Sequence, residues 1–236
     1  MSPATIVSVA AALVTGGSSG IGLAIARMLR DEGFALTLAS RTREKVEAAA
    51  AELDAHAVAV DVSNDEECER LVGEHADRHG SLEVLVNSAG IGIGGNLEQL
   101  STKRWDLQFA VNLRAAFVIT RAATPLLREA RGLVVNLASI AGKSGQPWLS
   151  VYSATKAAVI GFTQAMNREL AGDGVKSVAL APGFVDTPMT DFVKGSVAPQ
   201  DMIRTADIAE AVRFLLRTSP ACLVPEIVFQ RPGEGL

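Results

Sequence analysis

The chain has 236 residues, is 48% hydrophobic but only 5% aromatic, and carries a formal net charge of −4. A sizeable core can be buried and must be built from Ala, Val, Leu and Ile, while the scattered charges leave no basic stripe for a nucleic-acid backbone or an anionic membrane surface. Nucleic acid and membrane are not expected partners, and Cys68 and Cys222, far apart and in no metal-like spacing, imply no disulfide framework and a reducing, cytoplasmic setting.

Residues 4–14, ATIVSVAAALV, are apolar enough to suggest a signal peptide, yet no Lys or Arg precedes them and they run into a glycine turn, so a buried first strand is expected. Short β-branched runs at 12–15, 35–40, 57–62, 82–90, 132–139, 175–183 and 225–230 alternate with Ala-, Leu- and Arg-rich segments at 21–33, 44–53, 65–80, 104–130 and 153–170. A last long helix begins at Asp207. The runs read as strands and the longer segments as helices, with Gly33, Gly80, Gly132 and Gly172 as their left-handed ends. Strand–helix–strand steps with right-handed crossovers make neighbouring strands parallel. The expected fold is α/β, one doubly wound Rossmann-type parallel sheet with helices on both faces, occupying residues 1–236 as a single domain.

The first turn, TGGSSGIG at 15–22, joins a strand to a helix. A helix start offers unpaired N–H groups and the positive end of a dipole, and glycine lets a phosphate approach the backbone. Gly16, Ser18, Ser19, Gly20 and Ile21 are therefore candidate dinucleotide contacts, although the TGxxxGxG spacing differs from the usual GxGxxG. An acid closing the second strand would accept hydrogen bonds from a ribose 2′-OH, but Ser40 and Arg41 stand there instead. A hydroxyl beside a guanidinium suits a 2′-phosphate, which favours NADP(H), with Glu44 keeping NAD(H) open. Asp61, followed by Val62, can accept from an adenine amino group or cap the next turn.

Tyr152 is the only tyrosine, and Lys156 follows four residues later in a predicted helix, on the same face. A nearby cation favours phenolate and would bring an otherwise idle phenol toward neutral-pH proton exchange. Ser139 ends the 132–139 strand, at the edge where parallel sheets place their ligand crevice. His75 and His79 have a spacing two metal ligands could use, but the run around them is strongly charged and brings no third ligand, so a solvated helix face is expected.

Taken in order, TGGSSGIG, DV at 61–62, NSAG at 87–90, VNL at 111–113, Ser139, YSATK at 152–156 and PGFVDT at 182–187 make the chain resemble the short-chain dehydrogenase/reductase family as far as Val185 or so. The resemblance implies an oxidoreductase that interconverts a carbonyl and an alcohol by hydride transfer. Tyr152 would be its general acid or base, Lys156 the group that holds the nicotinamide ribose and lowers the phenol pKa, Ser139 the substrate-oxygen donor, and Asn112 the holder of a relay water. Asn87, Ala89 and Gly90 would line the ribose and adenine side, with Ser88 replacing the motif's usual second Asn. Pro182, Gly183, Val185 and Thr187 would lie along the nicotinamide. Ile91, Ile93, Gln146, Trp148, Phe184, Met189 and Phe192 are candidate substrate contacts, and the segment after Met189 is shorter than family members commonly carry. The resemblance also implies a homo-oligomer, a dimer or tetramer, built through the helices bearing Tyr152 and Asn112. An NAD-dependent alcohol dehydrogenase and a non-catalytic dinucleotide-binding regulator stand as alternatives; retention of Asn112, Ser139, Tyr152 and Lys156 argues against the second.

Overall fold

The structure, a computed structural model, describes residues 9–233. The first part of the apolar run at 4–14 and the chain's last three residues lie outside the described residues.

In chain order the elements are β1 (Ala11–Thr15), α1 (Gly20–Asp31), β2 (Ala35–Ser40), α2 (Arg43–Leu53), β3 (His56–Ala59), α3 (Asp65–His79), β4 (Val84–Asn87), α4 (Thr102–Phe109), α5 (Ala115–Ala130), β5 (Leu133–Leu137), α6 (Ser150–Glu169), β6 (Lys176–Pro182), α7 (Thr205–Leu216) and β7 (Glu226–Phe229). The strands form one seven-stranded sheet in the order β3-β2-β1-β4-β5-β6-β7, and every neighbouring pair is parallel. This is the doubly wound α/β sheet expected from the alternation of short and long segments.

Central strands of such a sheet are buried on both faces and carry no polar alternation, and β1, AALVT, is buried at all five positions. Its side chains still alternate. Ala12 and Val14 join Ile25, Leu29, Val46, Ile208 and Val212 in a core under α1, α2 and α7. Leu13 joins Leu71, Leu85, Ile119 and Leu127 in a second core under α3 and α5.

Two expected helix ends are corrected. Gly33 and Gly80 are left-handed (φ 90° and 71°), but at the other two sites the left-handed residues are Arg131 and Gly174 (φ 52° and 76°). Gly132 serves a different need: a Cβ there would lie 2.9 Å from the Leu127 side chain and 3.0 Å from the Leu82 and Glu83 carbonyl oxygens, so the position requires close packing, not a special φ. The segment 104–130 is also not one uniform helix, because a π-helical turn over Ala110–Arg114 separates α4 from α5. Its cause lies in the site.

His75 corrects another expectation. It is fully buried, with Nδ1 2.9 Å from Thr37 Oγ1 on β2 and Nε2 2.9 Å from the Ser81 carbonyl oxygen. The charged residues of α3 face solvent, and this imidazole faces the sheet. No cluster of three or more metal-ligating side chains occurs among the described residues, and no described helix is long and apolar enough to cross a membrane.

Candidate active site

The strand order reverses between β1 and β4, so the loops leaving their carboxyl ends diverge and open a crevice. Thr15 holds the two ends together: its hydroxyl donates to the Val86 carbonyl at 3.3 Å and accepts from Ser88 N and Ala89 N at 3.1 and 3.2 Å. A cleft of about 720 Å³ runs from this point across the ends of β4, β5 and β6. The structure brings Gly16, Ser19, Gly20, Ile21, Ala89, Gly90, Ser139, Tyr152, Lys156, Pro182, Gly183, Val185 and Thr187 to its walls.

At the first turn Gly16 and Gly20 adopt φ of 65° and 55°. A Cβ on Gly22 would collide with the Gly16 carbonyl oxygen, so the turn closes only with glycine there. Ser19 caps α1 in extended conformation without giving its side chain to the helix, and no acid occupies the first turn. A bare, uncharged helix start facing a cleft fits a dinucleotide pyrophosphate.

Other candidates lie off the cleft. Ser18 is half-buried and is not among the cleft-lining residues, while the Ser40 hydroxyl donates to the Thr42 carbonyl at 3.3 Å. Arg41 is exposed and forms no ion pair among the described residues, whereas Arg43 pairs with Glu47 one turn on. The Asp61 carboxylate accepts from Ser63 N and Ser63 Oγ at 2.9 and 2.8 Å, so it caps its turn. Those bonds, with a smaller contribution from Arg41, hold it below the usual carboxylate range. Val62 gives its carbonyl to the Cys68 thiol at 3.3 Å.

Asn87 points into the sheet layer instead of the crevice. Its amide donates to Thr120 Oγ1 at 3.1 Å and Asn136 Oδ1 at 2.9 Å, and Asn136 donates onward to Thr163 Oγ1 at 2.9 Å. This chain of buried amides ties β4 and β5 to α5 and α6, and sequence reasoning did not find Asn136. A polar residue inside an otherwise Val- and Leu-rich strand was the available signal.

Asn112 stands behind the cleft wall. Its Oδ1 accepts from Ile91 N at 2.8 Å, and its Nδ2 donates to the Ile91 carbonyl at 2.9 Å and Thr155 Oγ1 at 3.1 Å. The π turn adds a residue where this side chain must leave the helix to pair with a loop backbone, a common setting for such turns. Ile91 and Ile93 are corrected accordingly: neither is among the cleft-lining residues, because their backbones are held by Asn112 and by Gln108 Oε1, the latter 3.0 Å from Ile93 N. Gln146, Trp148, Phe184, Met189 and Phe192 do line the cleft.

Ser139 starts a short turn over Ile140–Gly142, where its Oγ accepts from Ala141 N at 3.1 Å. That turn lies on α6 closely enough that a Cβ on Gly142 would sit 2.6 Å from the Lys156 carbonyl carbon. The Ser139 hydroxyl itself donates to the Pro182 carbonyl oxygen at 3.4 Å and lines the same cleft as the Tyr152 phenol. Lys156 is only 5% exposed; its Nζ donates to the Leu137 carbonyl at 2.6 Å and lies 5.6 Å from the centre of the Tyr152 ring.

The electrostatics differ from the expected simple depression of the phenol. Burial pushes the Tyr152 phenol above its ordinary value, and the neighbouring Ser139 hydroxyl draws it partly back. Burial also lowers the Lys156 ammonium to about 8. The Lys156 head is aimed at a backbone carbonyl and not at the phenol oxygen, so desolvation outweighs it in this state.

A family model for short chain dehydrogenases matches residues 10–196. The chain belongs to the short-chain dehydrogenase family. An uncharacterised oxidoreductase of Staphylococcus aureus is 37% identical over 229 residues, covering 94% of this dehydrogenase and 97% of that protein. The 3-oxoacyl-(acyl-carrier-protein) reductase of Staphylococcus aureus is 37% identical over 219 residues, covering 86% and 89%. Among solved structures, an alcohol dehydrogenase of the archaeon Thermococcus sibiricus, complexed with 5-hydroxy-NADP, superposes with a TM-score of 0.87 at 31% identity, over 95% of this chain and 99% of that one. A 3-ketoacyl-(acyl-carrier-protein) reductase of Brucella melitensis, complexed with NADH, gives 0.86 at 28% identity over 93% and 96%. This short-chain dehydrogenase is thus an NAD(P)-dependent oxidoreductase.

Proposed function

We propose that the enzyme reduces a ketone or aldehyde with NADPH, and runs the reverse oxidation, with Tyr152 exchanging the proton. The observation that carries this reading is the meeting of Ser139, Tyr152 and Lys156 on one cleft wall, beside the glycine-shaped start of α1. Gly16, Ser19, Gly20 and Ile21 would hold the pyrophosphate, and Val185 and Thr187 the nicotinamide end. When bound, the nicotinamide supplies or accepts the hydride.

In reduction, the Ser139 hydroxyl orients the substrate oxygen and Tyr152 Oη gives up its proton as that oxygen becomes an alkoxide. Lys156 supplies the buried cation that stabilises the phenolate left behind. Asn112, by fixing Ile91 and Thr155, sets α6 against the β4 loop and positions the pair. Ser40 and Arg41 would take the 2′-phosphate, with Asp61 and Val62 on the adenine side. Exposed apolar residues on α4 and α5, among them Trp105 and Phe117, suit burial in a homodimer or homotetramer.

Two variants test the reading. Tyr152→Phe should cut turnover ~10²-fold or more while leaving NADPH affinity near wild type; undiminished turnover would refute the role. Arg41→Ala should weaken NADPH about tenfold and leave NADH unchanged. Equal affinities in wild type and variant would instead favour the NAD-linked alcohol dehydrogenase.

A further inference from the structure

Trp148 occupies a conformation its sequence neighbours do not require. Its φ is 68°, in the left-handed region that a bulky L-residue rarely adopts. Such a backbone persists where the surroundings over-determine it, which happens most at binding sites. The surroundings are explicit: the Trp148 carbonyl accepts from Gly95 N at 2.8 Å, and the indole lies so close on Gly94 that a Cβ there would collide with the ring. On the other side Gln146 N donates to Ser153 Oγ at 3.1 Å, fixing the same loop to α6.

The indole remains 53% exposed despite these restraints, and Phe192, 63% exposed, lies across from it with ring centres 6.2 Å apart and planes tilted by 43°. That separation is too small to admit a ligand between the rings, so they form one concave wall at the cleft mouth, extended by Met189. Among the described residues lining the cleft, Lys156 is the only charged one, and its ammonium is turned inward to the Leu137 carbonyl. The Arg231 guanidinium lies over the Phe184 ring, 5.6 Å from its centre, and is not among the lining residues, so an ionised substrate meets no cationic side chain in the lining beyond Lys156 and loses hydration at a cost.

We infer that Trp148 is the specificity-determining residue of this cleft, and that it selects uncharged carbonyl compounds with a flat aromatic body. The inference rests on the carbonyl-reducing reading above. A planar group lying on the indole gains offset stacking in addition to apolar burial, and Gly94 keeps the indole in the plane that offers it.

The test uses the full-length enzyme with NADPH and three ketones: an aryl methyl ketone such as 2-acetylnaphthalene, its analogue bearing a ring carboxylate, and a short aliphatic ketone. The aryl ketone should exceed its carboxylate analogue by at least about tenfold in kcat/KM. Trp148→Ala should lower the aryl-to-aliphatic ratio of kcat/KM about tenfold, carried by KM. Gly94→Ala, which alters no cleft-lining residue, should shift that ratio in the same direction. Binding is read separately in a Trp105→Phe background, where Trp148 is the only tryptophan left and the aryl ketone should quench its fluorescence. Turnover of the carboxylate analogue equal to the neutral ketone, or an unchanged ratio in either variant, overturns the inference while the carbonyl reading stands. Quenching without turnover of any ketone overturns the carbonyl reading and supports the wall.

Discussion

The buried imidazole of His75 predicts an acid limit to stability that can be worked out from its surroundings. Thr37 on β2 and the Ser81 carbonyl occupy its two nitrogens, His79 lies 4.9 Å away on the same helix, and His56, near Glu74, starts the neighbouring strand. Burial lowers its pKa from 6.5 to about 4, with the two other histidines opposing a further charge. The neutral ring is the one the fold accepts, so the unfolded chain binds more protons between these values. Stability is then fully present above pH ~6.5 and is lost as the pH falls toward ~4. The loss amounts to about 2 kcal/mol at pH 5 and about 3 kcal/mol at pH 4, a large part of the ~5–15 kcal/mol that holds a domain folded. The assay is urea unfolding of wild type and His75→Gln at pH 7, 5 and 4. Carboxylates and the other histidines titrate in both proteins and cancel in the difference. The wild type should lose about 3 kcal/mol more than the variant from pH 7 to pH 4, and parallel losses would refute the argument.

Three further outcomes follow from the site. Ketone reduction should hold steady through neutrality and decline as the pH rises past about 8, where Lys156 loses its charge; a kcat/KM profile flat to pH 9.5 would contradict this. Gly22→Ala forces a methyl against the Gly16 carbonyl, so unfolding should need ~1–3 kcal/mol less and the KM for NADPH should rise, both absent if the turn can yield freely. Phe117→Glu, placing a charge on the exposed face of α5, should shift the particle mass in light scattering toward the monomer, and an unchanged mass would exclude that face from the interface.

The sheet was legible because burial on both faces writes itself as short Val- and Leu-rich runs, of which VLVN in β4 and LVVNL in β5 are the plainest. Tyr152, Lys156 and Ser139 were legible because a helical spacing and a strand end are local facts. What the sequence hid depends on contacts between distant segments. The π turn coincides with Asn112 pairing with Ile91, and the left-handed Trp148 is held by Gly95 N and packs its indole on Gly94. His75 looked like part of a solvated face because its flanking residues are charged, yet one imidazole was turned toward Thr37.

The direction of the phenol's displacement has the widest consequence for how the cleft works. Four-residue spacing places Lys156 near Tyr152, but it does not say where the ammonium points, and that direction sets the ammonium–oxygen distance on which Coulomb stabilisation depends. With Nζ on the Leu137 carbonyl, the cation spends its hydrogen bond on the end of β5 and the phenol keeps its proton. Among the described residues, Ser139 is then the side chain that pulls the phenol down. A site in this condition holds a proton ready for a substrate oxygen and is poorly prepared to remove one. In the proposed reaction the buried lysine would therefore matter most after the proton has left, when a cation lining the same cleft is the nearest compensation for the phenolate.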